Sequence, residues 1–280
     1  MAVGVKLNQM QELVDTHCHI QSIGLNEGER TTSEKWAQAP GLTADGVVAD
    51  AAAHGVTRLL CVGCDLADSK LAIDFVQNRP NCWASIGIHP HEAQHFAGLT
   101  VQLEDLAGLI GQPKVVAVGE CGLDYFYEHS PKNDQIEVLK FQMELAKKHN
   151  LPLIFHVRDA FDDFWPIFDS FSGLKGVLHS FTDSAANLAK ALERRLFIGV
   201  NGIATFAKDP AQLEVYRQIP LKSLLLETDA PFLTPNPFRG NINEPKRVGT
   251  VADFLIGLRR ENRAELAAAT TANARQLFGI

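Results

Sequence analysis

The sequence predicts an α/β protein with the (β/α)8 TIM-barrel architecture, and three observations favour it. Eight short apolar runs recur along the 280 residues, and they are continuous, as in strands that are buried on both faces of a parallel sheet. Segments with helical periodicity separate these runs. Six of the eight runs end in His, Glu or Asp, and barrel active sites lie where the strands end.

In chain order, the apolar runs predict strands over Leu13–Thr16, Arg58–Val62, Trp83–Ile88, Val115–Val118, Leu151–Phe155, Gly176–Leu178, Leu196–Val200 and Leu224–Leu226. The helical segments are Ala44–His54, Lys70–Gln77, Val101–Ile110, Asp134–His149, Ala160–Phe168, Ala185–Arg194, Ala211–Gln218, Val248–Arg260 and Ala264–Phe278. Two long loops, Gln21–Leu42 and Pro231–Glu244, follow the first and last strands. An open doubly wound sheet is the alternative fold, but no G-x-G-x-x-G follows the first run. The chain has no internal repeat or linker, so we expect a single domain over residues 1–280.

The composition is that of a folded protein with an acidic surface. Lys and Arg number 26 against 33 Asp and Glu, which gives a net charge of −7, and 46% of the residues are apolar. This apolar content excludes a disordered chain. The negative charge argues against a broad basic surface that coats nucleic acid, but not against a small metal site that binds phosphates singly.

We expect a cytoplasmic protein with no membrane partner and no obligate protein partner. Residues 1–12 have no apolar signal region, and no apolar run is long enough for a membrane span. Five cysteines is an odd number, and they lie in apolar surroundings, as buried thiols do in a reducing compartment. Cys61 and Cys64 form a C-x-x-C at a strand end, which we interpret as small buried residues.

The ends of the runs carry the residues whose side chains can bind metals or take part in catalysis. These residues are His17 and His19, His89 and His91, Glu120, His156 and Arg158, His179, and Glu227 with Asp229. A role in stability alone predicts no such preference for one end of the strands. The barrel geometry predicts that these side chains meet around its axis.

A two-metal centre is the interpretation that these residues favour. His17 and His19 are two apart in an extended segment, so both point to one face and can share a cation. Neutral imidazoles with a carboxylate suit Zn²⁺ or a similar divalent ion. Glu120 can place one oxygen on each of two ions. His156 and His179 would then complete the ligands of the second ion. Asp229 would complete the ligands of the first ion and face the attacking water. The alternative is a set of hydrogen-bonded histidines without metal.

The sequence resembles the TatD-like metal-dependent hydrolases, the TatD-type deoxyribonucleases of the amidohydrolase superfamily, over about residues 13–278. The motifs that carry the resemblance are Asp15-Thr16-His17-Cys18-His19, Gly87-Ile88-His89-Pro90-His91, Gly119-Glu120-Cys121-Gly122-Leu123-Asp124-Tyr125, His156-Val157-Arg158, His179-Ser180-Phe181-Thr182, Glu227-Thr228-Asp229-Ala230-Pro231 and Asn243-Glu244-Pro245.

The resemblance implies a barrel with two divalent metal ions per subunit. Their identity, Zn, Mn, Mg or Ni, is not determined by the sequence. One metal is implied at His17, His19, Glu120 and Asp229, and the other at Glu120, His156 and His179. The implied reaction is phosphodiester hydrolysis, often as a 3′→5′ exonuclease on DNA or RNA ends. Asp229 and Glu120 are the expected catalytic residues, with Asp229 as general base.

Two positions separate the sequence from known patterns. Asp183 follows Thr182 where the family usually has Gly, and its carboxylate either caps the next helix or repels a phosphate. Many superfamily members bridge their metals with a carboxylated Lys, and this chain has Glu120 there instead.

Three further residues are expected to contact substrate. Arg158 is a candidate clamp on phosphate, with a rim salt bridge as the alternative. His89 either contacts a phosphate oxygen or an extra cation, or packs the rim. Tyr125 either stacks on a terminal base or packs locally.

Other functions remain open from sequence alone. The same centre fits hydrolysis of carboxylic or aminoacyl esters or amides, for which the anion-binding residues Arg158 and His89 are redundant. A non-catalytic metal-bound scaffold is the third possibility, which the complete ligand set disfavours.

Overall fold

The computed structural model describes residues 11–25 and 30–280, and its centre is an eight-stranded parallel sheet in the order β1 to β8. The strands are β1 (Leu13–Cys18), β2 (Val56–Val62), β3 (Cys82–Ile86), β4 (Val115–Asp124), β5 (Leu153–Arg158), β6 (Gly176–Leu178), β7 (Phe197–Val200) and β8 (Leu224–Leu226).

The sheet closes between its first and last strands. Cys18 and Ala230 form a parallel bridge, the N–H of Asp229 donates to the carbonyl of His17 at 2.8 Å, and the N–H of His19 donates to the carbonyl of Ala230 at 2.8 Å. The TIM barrel that the sequence predicts is therefore confirmed.

Helices alternate with the strands and cover the sheet. Those within the described residues are α1 (Thr31–Ala37), α2 (Ala44–Ala53), α3 (Leu66–Gln77), α4 (Thr100–Ala107), α5 (Lys132–His149), α6 (Phe161–Asp169), α7 (Ala185–Glu193), α8 (Pro210–Gln218), α9 (Val248–Leu258) and α10 (Arg263–Phe278). Side-chain caps fix several starts: Asp65 accepts from the N–H of Asp68, and Asn262 with Glu265 forms a reciprocal capping box.

The structure differs from the sequence-based assignment at two places that matter for the site. The segment Gln21–Leu42, expected as a loop, contains α1, while its residues 26–29 lie outside the described part. Strand β4 continues to Asp124 instead of ending at Val118, because Glu120 and Asp124 interrupt its apolar pattern without interrupting the strand.

The interior of the barrel is a packed apolar core that ends two residues before the polar positions at the mouth. Inward-facing residues of the strands form one cluster with the end of α10, which includes Leu277 and Phe278. Ile154, Val177 and Leu225 belong to this layer. Because side chains on one face of a strand recur every second residue, the positions that follow them, 156, 179 and 227, rise into the mouth. The core thus sets the height of the polar residues.

Outside the barrel, strands and helices enclose a second, larger core. The aromatic residues of α6, Phe161, Phe164, Trp165 and Phe168, are all buried in it. The five cysteines are free, and Cys61 is buried while Cys64 is partly exposed. Within the described residues, the structure has no helix that is both long and apolar enough to cross a bilayer.

Candidate metal centre and active site

The end of β1 and the segment after β8 bring two histidines and a carboxylate together. His17 Nε2 and His19 Nε2 lie 3.2 Å apart, and Asp229 Oδ1 lies 3.7 Å from the first and 3.2 Å from the second. His19 Nδ1 lies 2.9 Å from the carbonyl oxygen of Val62, which turns its Nε2 toward Asp229. Three ligand atoms therefore face one small volume.

Glu120 connects this group with a second one. Its Oε2 lies 3.3 Å from His17 Nε2, while its Oε1 lies 3.0 Å from His156 Nδ1 and 3.9 Å from His179 Nε2. The ring of His179 stacks on that of His17 with centroids 3.6 Å apart. The side chain of Glu120 is buried, so its two oxygens are held between the two sets of imidazoles.

The six residues expected as metal ligands therefore meet at one mouth of the barrel, although they come from β1, β4, β5 and the segments after β1, β6 and β8. Potential ligand atoms lie within 4.8 Å of one another in the groups His17–His19–Glu120, His17–His179–Asp229 and His89–Glu120–His156. A fourth group, His19–Cys64–Asp68, lies beside them.

Both carboxylates of the centre are held in their charged form. Burial opposes ionisation of Glu120, but the imidazoles of His89, His17 and His179 outweigh it and hold its pKa well below the usual value. Burial likewise opposes ionisation of Asp229, but the hydrogen bond to His19 and the nearby imidazoles lower its pKa.

The donor set fits divalent cations. Among the described residues, no Lys or Arg lies within ion-pair distance of Glu120 or Asp229, so no permanent positive charge balances these two carboxylates. His17 Nδ1 is buried and has no hydrogen-bond partner. Buried charges are normally paired or bound to metal, and imidazole with carboxylate is a ligand set of Zn²⁺ and related ions.

A buried carboxylate at the end of β4 orients His156. Asp124 Oδ2 lies 2.9 Å from His156 Nε2 and 3.0 Å from His91 Nε2, and Asp124 is fully buried. Burial disfavours the charged form of His156, but the hydrogen bonds to Asp124 and Glu120 outweigh it and raise its pKa to about 9. Nδ1 of His156 is thereby fixed toward Glu120.

Glu227 does the same for His179. Its Oε1 lies 2.9 Å from His179 Nδ1 and accepts from the N–H of Ser180 at 2.6 Å. Burial lowers the pKa of His179, but Glu227 and Glu120 outweigh it and raise it to about 9. Gly199 leaves the space for this carboxylate, because a Cβ atom there would lie 2.4 Å from Glu227 Oε2.

The three residues expected at the substrate lie in different surroundings. The guanidinium of Arg158 stacks on Phe126 at 3.9 Å and on Tyr127 at 4.7 Å, and no carboxylate of the described residues pairs with it. The expected alternative, a rim salt bridge, is therefore not formed there. His89 Nε2 lies 3.6 Å from Glu120 Oε1, beside the centre.

Tyr125 is engaged locally. Its hydroxyl lies 2.9 Å from Asp163 Oδ2, and the ammonium of Lys132 lies 4.1 Å from its ring. Its contact with substrate stays a prediction. The exposed aromatic residues of this loop are instead its two neighbours, Phe126 and Tyr127, with 54% and 51% of their surface accessible.

A cavity of about 240 Å³ opens beside His179. Phe126, Arg158, Thr182 and Asp183 are among the residues that line it. Asp183 Oδ1 accepts hydrogen bonds from Ser184 N–H and Asn187 Nδ2 at the start of α7. Asp183 does not itself cap α7, because Ser184 is the N-cap and accepts from the N–H of Asn187. Asp183 instead holds Ser184 and the side chain of Asn187, and it lines the cavity.

Comparison with known proteins agrees with this geometry. The family model described as TatD related DNase matches residues 14–279. The chain belongs to the TatD-related DNase family. Its metal-dependent hydrolase relatives include YabD of Bacillus subtilis, an uncharacterized metal-dependent hydrolase that is 37% identical over 96% of this chain and 99% of its own.

Two other members of the family extend the comparison. The 3′-5′ ssDNA/RNA exonuclease TatD of Citrobacter rodentium is 37% identical, over 84% of this chain and 92% of its own length. The crystal structure of YJJV, a TatD homolog of Escherichia coli, superimposes with a TM-score of 0.81 at 28% identity and covers 97% of this chain and 99% of that one.

Sequence reasoning missed two buried carboxylates of this TatD-family centre, Asp124 and Asp15. Asp124 lies within one of the motifs but carries no predicted role, because the predicted fourth strand ends at Val118. Its signal is the spacing of four from Glu120, which puts both on one face of β4. Asp15 precedes His17 by two residues, and this spacing is a comparable signal.

Proposed function

We propose that this chain removes nucleotides from the 3′ ends of single-stranded DNA or RNA by metal-dependent phosphodiester hydrolysis. The observation that carries the proposal is the position of Glu120, which faces His17 with one oxygen and His156 with the other. A carboxylate with imidazoles on both sides suits a pair of cations that shares it.

We assign the first ion to His17, His19, Asp229 and Glu120, and the second to Glu120, His156 and His179. When bound, such a pair lowers the pKa of a water and stabilises negative charge on the phosphate. The imidazole-rich set favours Zn²⁺, Mn²⁺ or Ni²⁺ over Mg²⁺, although supply in the cell also selects the metal.

The residues of the chain supply the proton transfer and the orientation. Asp229, ionised and next to His19, accepts the proton of the attacking water as the water oxygen bonds to phosphorus and the bond to the 3′ oxygen of the preceding sugar breaks. Glu227 and Asp124 keep His179 and His156 in place during this step.

Arg158 and His89 hold the phosphate in this proposal. The guanidinium of Arg158 lies on two aromatic rings and has no carboxylate partner among the described residues, so its charge is available to an anion. A neutral carboxylic ester makes no use of that charge, so this position favours a phosphodiester over an ester or amide substrate.

The activity named for the TatD relative of Citrobacter rodentium supports the same substrate class. Its name gives a 3′-5′ exonuclease on ssDNA and RNA, and it is 37% identical to this chain. The exposed Phe126 and Tyr127 beside the centre add rings on which unpaired bases stack.

The test is an assay with 5′-labelled single-stranded oligonucleotides, run with Zn²⁺, Mn²⁺, Ni²⁺ or Mg²⁺ after removal of endogenous metal. We expect a ladder of products shortened from the 3′ end, and loss of at least about 100-fold in rate for Glu120→Gln. An aryl carboxylic ester serves as the competing substrate. Rapid ester cleavage without any shortening of the oligonucleotide would contradict the proposal.

A further inference from the structure

The cavity beside His179 contains two opposite charges that do not pair with each other. Arg158 and Asp183 both line it, yet no ion pair joins them among the described residues. Arg158 rests on the Phe126 ring, while Asp183 uses Oδ1 for the start of α7. Opposite charges that stay apart inside one cavity are available to two different groups of a ligand.

Only one carboxylate oxygen of Asp183 accepts hydrogen bonds from the described residues. Oδ1 accepts from the N–H and the hydroxyl of Ser184 and from Asn187 Nδ2, at 2.6, 2.9 and 2.7 Å. Oδ2 has no hydrogen-bond partner within the part of the chain that the structure describes. An ionised carboxylate is an acceptor only, so a free Oδ2 suits a hydroxyl or amine donor and opposes a second anion.

The position of the cavity relates this acceptor to the reaction. His179 lines the cavity and also lies 3.9 Å from Glu120 Oε1, so the cavity begins at the wall of the metal centre. With the scissile phosphate at the centre, the next chemical group along the chain is the terminal nucleoside. A volume of about 240 Å³ suits one nucleoside rather than a base pair.

We propose that Asp183 reads the end group of the substrate: its free carboxylate oxygen accepts a hydrogen bond from the hydroxyl of the terminal sugar and repels a terminal phosphate. The inference rests on the proposed function and deepens it. The protein then trims ends that carry a free 3′ hydroxyl and leaves phosphorylated ends in place. Arg158, which pairs with no carboxylate of the described residues, takes the scissile phosphate and does not neutralise Asp183.

The experiment compares two single-stranded oligonucleotides of one sequence, one with a 3′ hydroxyl and one with a 3′ phosphate. We expect the metal-loaded protein to remove the last nucleotide of the hydroxyl end at least roughly tenfold faster, because a phosphate beside a carboxylate is repelled. Asp183→Asn keeps an oxygen that accepts from Ser184 and Asn187 but removes the charge. In this variant the rate ratio falls to about threefold or less, chiefly through faster attack on the phosphorylated end.

Binding supplies a second readout that needs no turnover. In EDTA, fluorescence anisotropy of the 5′-labelled oligonucleotides should show tighter binding of the phosphorylated end to Asp183→Asn than to the unchanged protein. Asp209→Asn is the control, since Asp209 is likewise an aspartate just before a helix, accepts from the N–H of Ala211 and does not line the cavity. This control should change neither the ratio of the cleavage rates nor the ratio of the affinities for the two ends.

The outcomes separate this inference from the function on which it rests. Equal rates and affinities for the two ends, or an unchanged ratio in Asp183→Asn, would overturn the role of Asp183 alone. Cleavage of neither oligonucleotide under any metal, while an ester is hydrolysed, would overturn the proposed function and this inference together.

Discussion

The carboxylate of Asp15 in the first strand holds Thr228, which follows the last strand, by two hydrogen bonds. Oδ1 accepts from the N–H of Thr228 at 2.9 Å and Oδ2 accepts from its hydroxyl at 2.5 Å. Both residues are fully buried, and burial raises the pKa of Asp15 to about 8 against the opposing effect of these hydrogen bonds. The pair closes the barrel directly below His17 and Asp229.

Removal of this connection should destabilise the whole barrel. Asp15→Ala leaves two buried donors of Thr228 without a partner, and we expect a loss of about 2–4 kcal/mol in the free energy of unfolding. Urea denaturation of the metal-free protein measures it. Glu214→Gln, which removes an exposed pair with Arg217, should change stability by less than about 0.5 kcal/mol. Equal stabilities for the two variants would contradict the closing role of Asp15.

Substitution of Asp229 should separate turnover from metal binding. Asp229→Asn keeps the size of the side chain and one oxygen but cannot accept the proton of the attacking water. We expect the rate to fall by at least about 100-fold, the usual range for a lost general base, while most of the metal stays bound. Elemental analysis of the purified variant and the oligonucleotide assay measure the two quantities. Full activity would refute the assigned role.

The carboxylates behind the imidazoles should set metal affinity. Asp124→Asn and Glu227→Gln each remove a charged partner of a ligand histidine, and we expect affinity to fall by about 10–100-fold. Competition against a fluorescent chelator measures this. Glu244→Gln is the control, because this buried carboxylate pairs with Lys246 and Arg247 and touches none of the imidazoles. Equal affinities in all three variants would show that these contacts do not tune the site.

Metal loading should stabilise the fold. In the metal-free protein no Lys or Arg of residues 11–25 and 30–280 lies within ion-pair distance of Glu120 or Asp229, so a bound divalent ion favours the folded state. At a free metal concentration of about 100 times Kd, one site adds about 2.7 kcal/mol. Thermal unfolding with metal and with EDTA measures the difference, and Glu120→Gln should reduce it. A melting temperature that EDTA leaves unchanged in the loaded protein would contradict the proposed centre.

The exposed ring of Phe126 should contribute to substrate binding. Stacking of one base is worth about 1–3 kcal/mol, so Phe126→Ala should weaken binding of single-stranded DNA by about 5–150-fold. Anisotropy in EDTA measures this affinity without cleavage. Val101→Ala removes an exposed apolar side chain of α4 and should have no effect. Equal weakening by both substitutions would argue against a specific stacking site.

The apolar runs of the sequence identified the architecture, and the polar residues at their ends identified the chemistry. Continuous apolar runs indicate strands that are buried on both faces, so they are visible without a structure, and they located β6 and β8 to the residue. Placing His17, Glu120 and His179 at one end of the barrel needed only the rule that parallel strands share a direction.

The finer arrangement was decided by contacts between segments far apart in sequence. The start of α1 inside the expected loop, the stacking of Arg158 on Phe126, and the hydrogen bond from Tyr125 to Asp163 all depend on neighbours that sequence spacing does not reveal. The direction in which a long side chain turns is set by its packing partners. For that reason the sequence determined the barrel and the composition of its mouth, whereas the tertiary structure alone decided which carboxylate holds which imidazole.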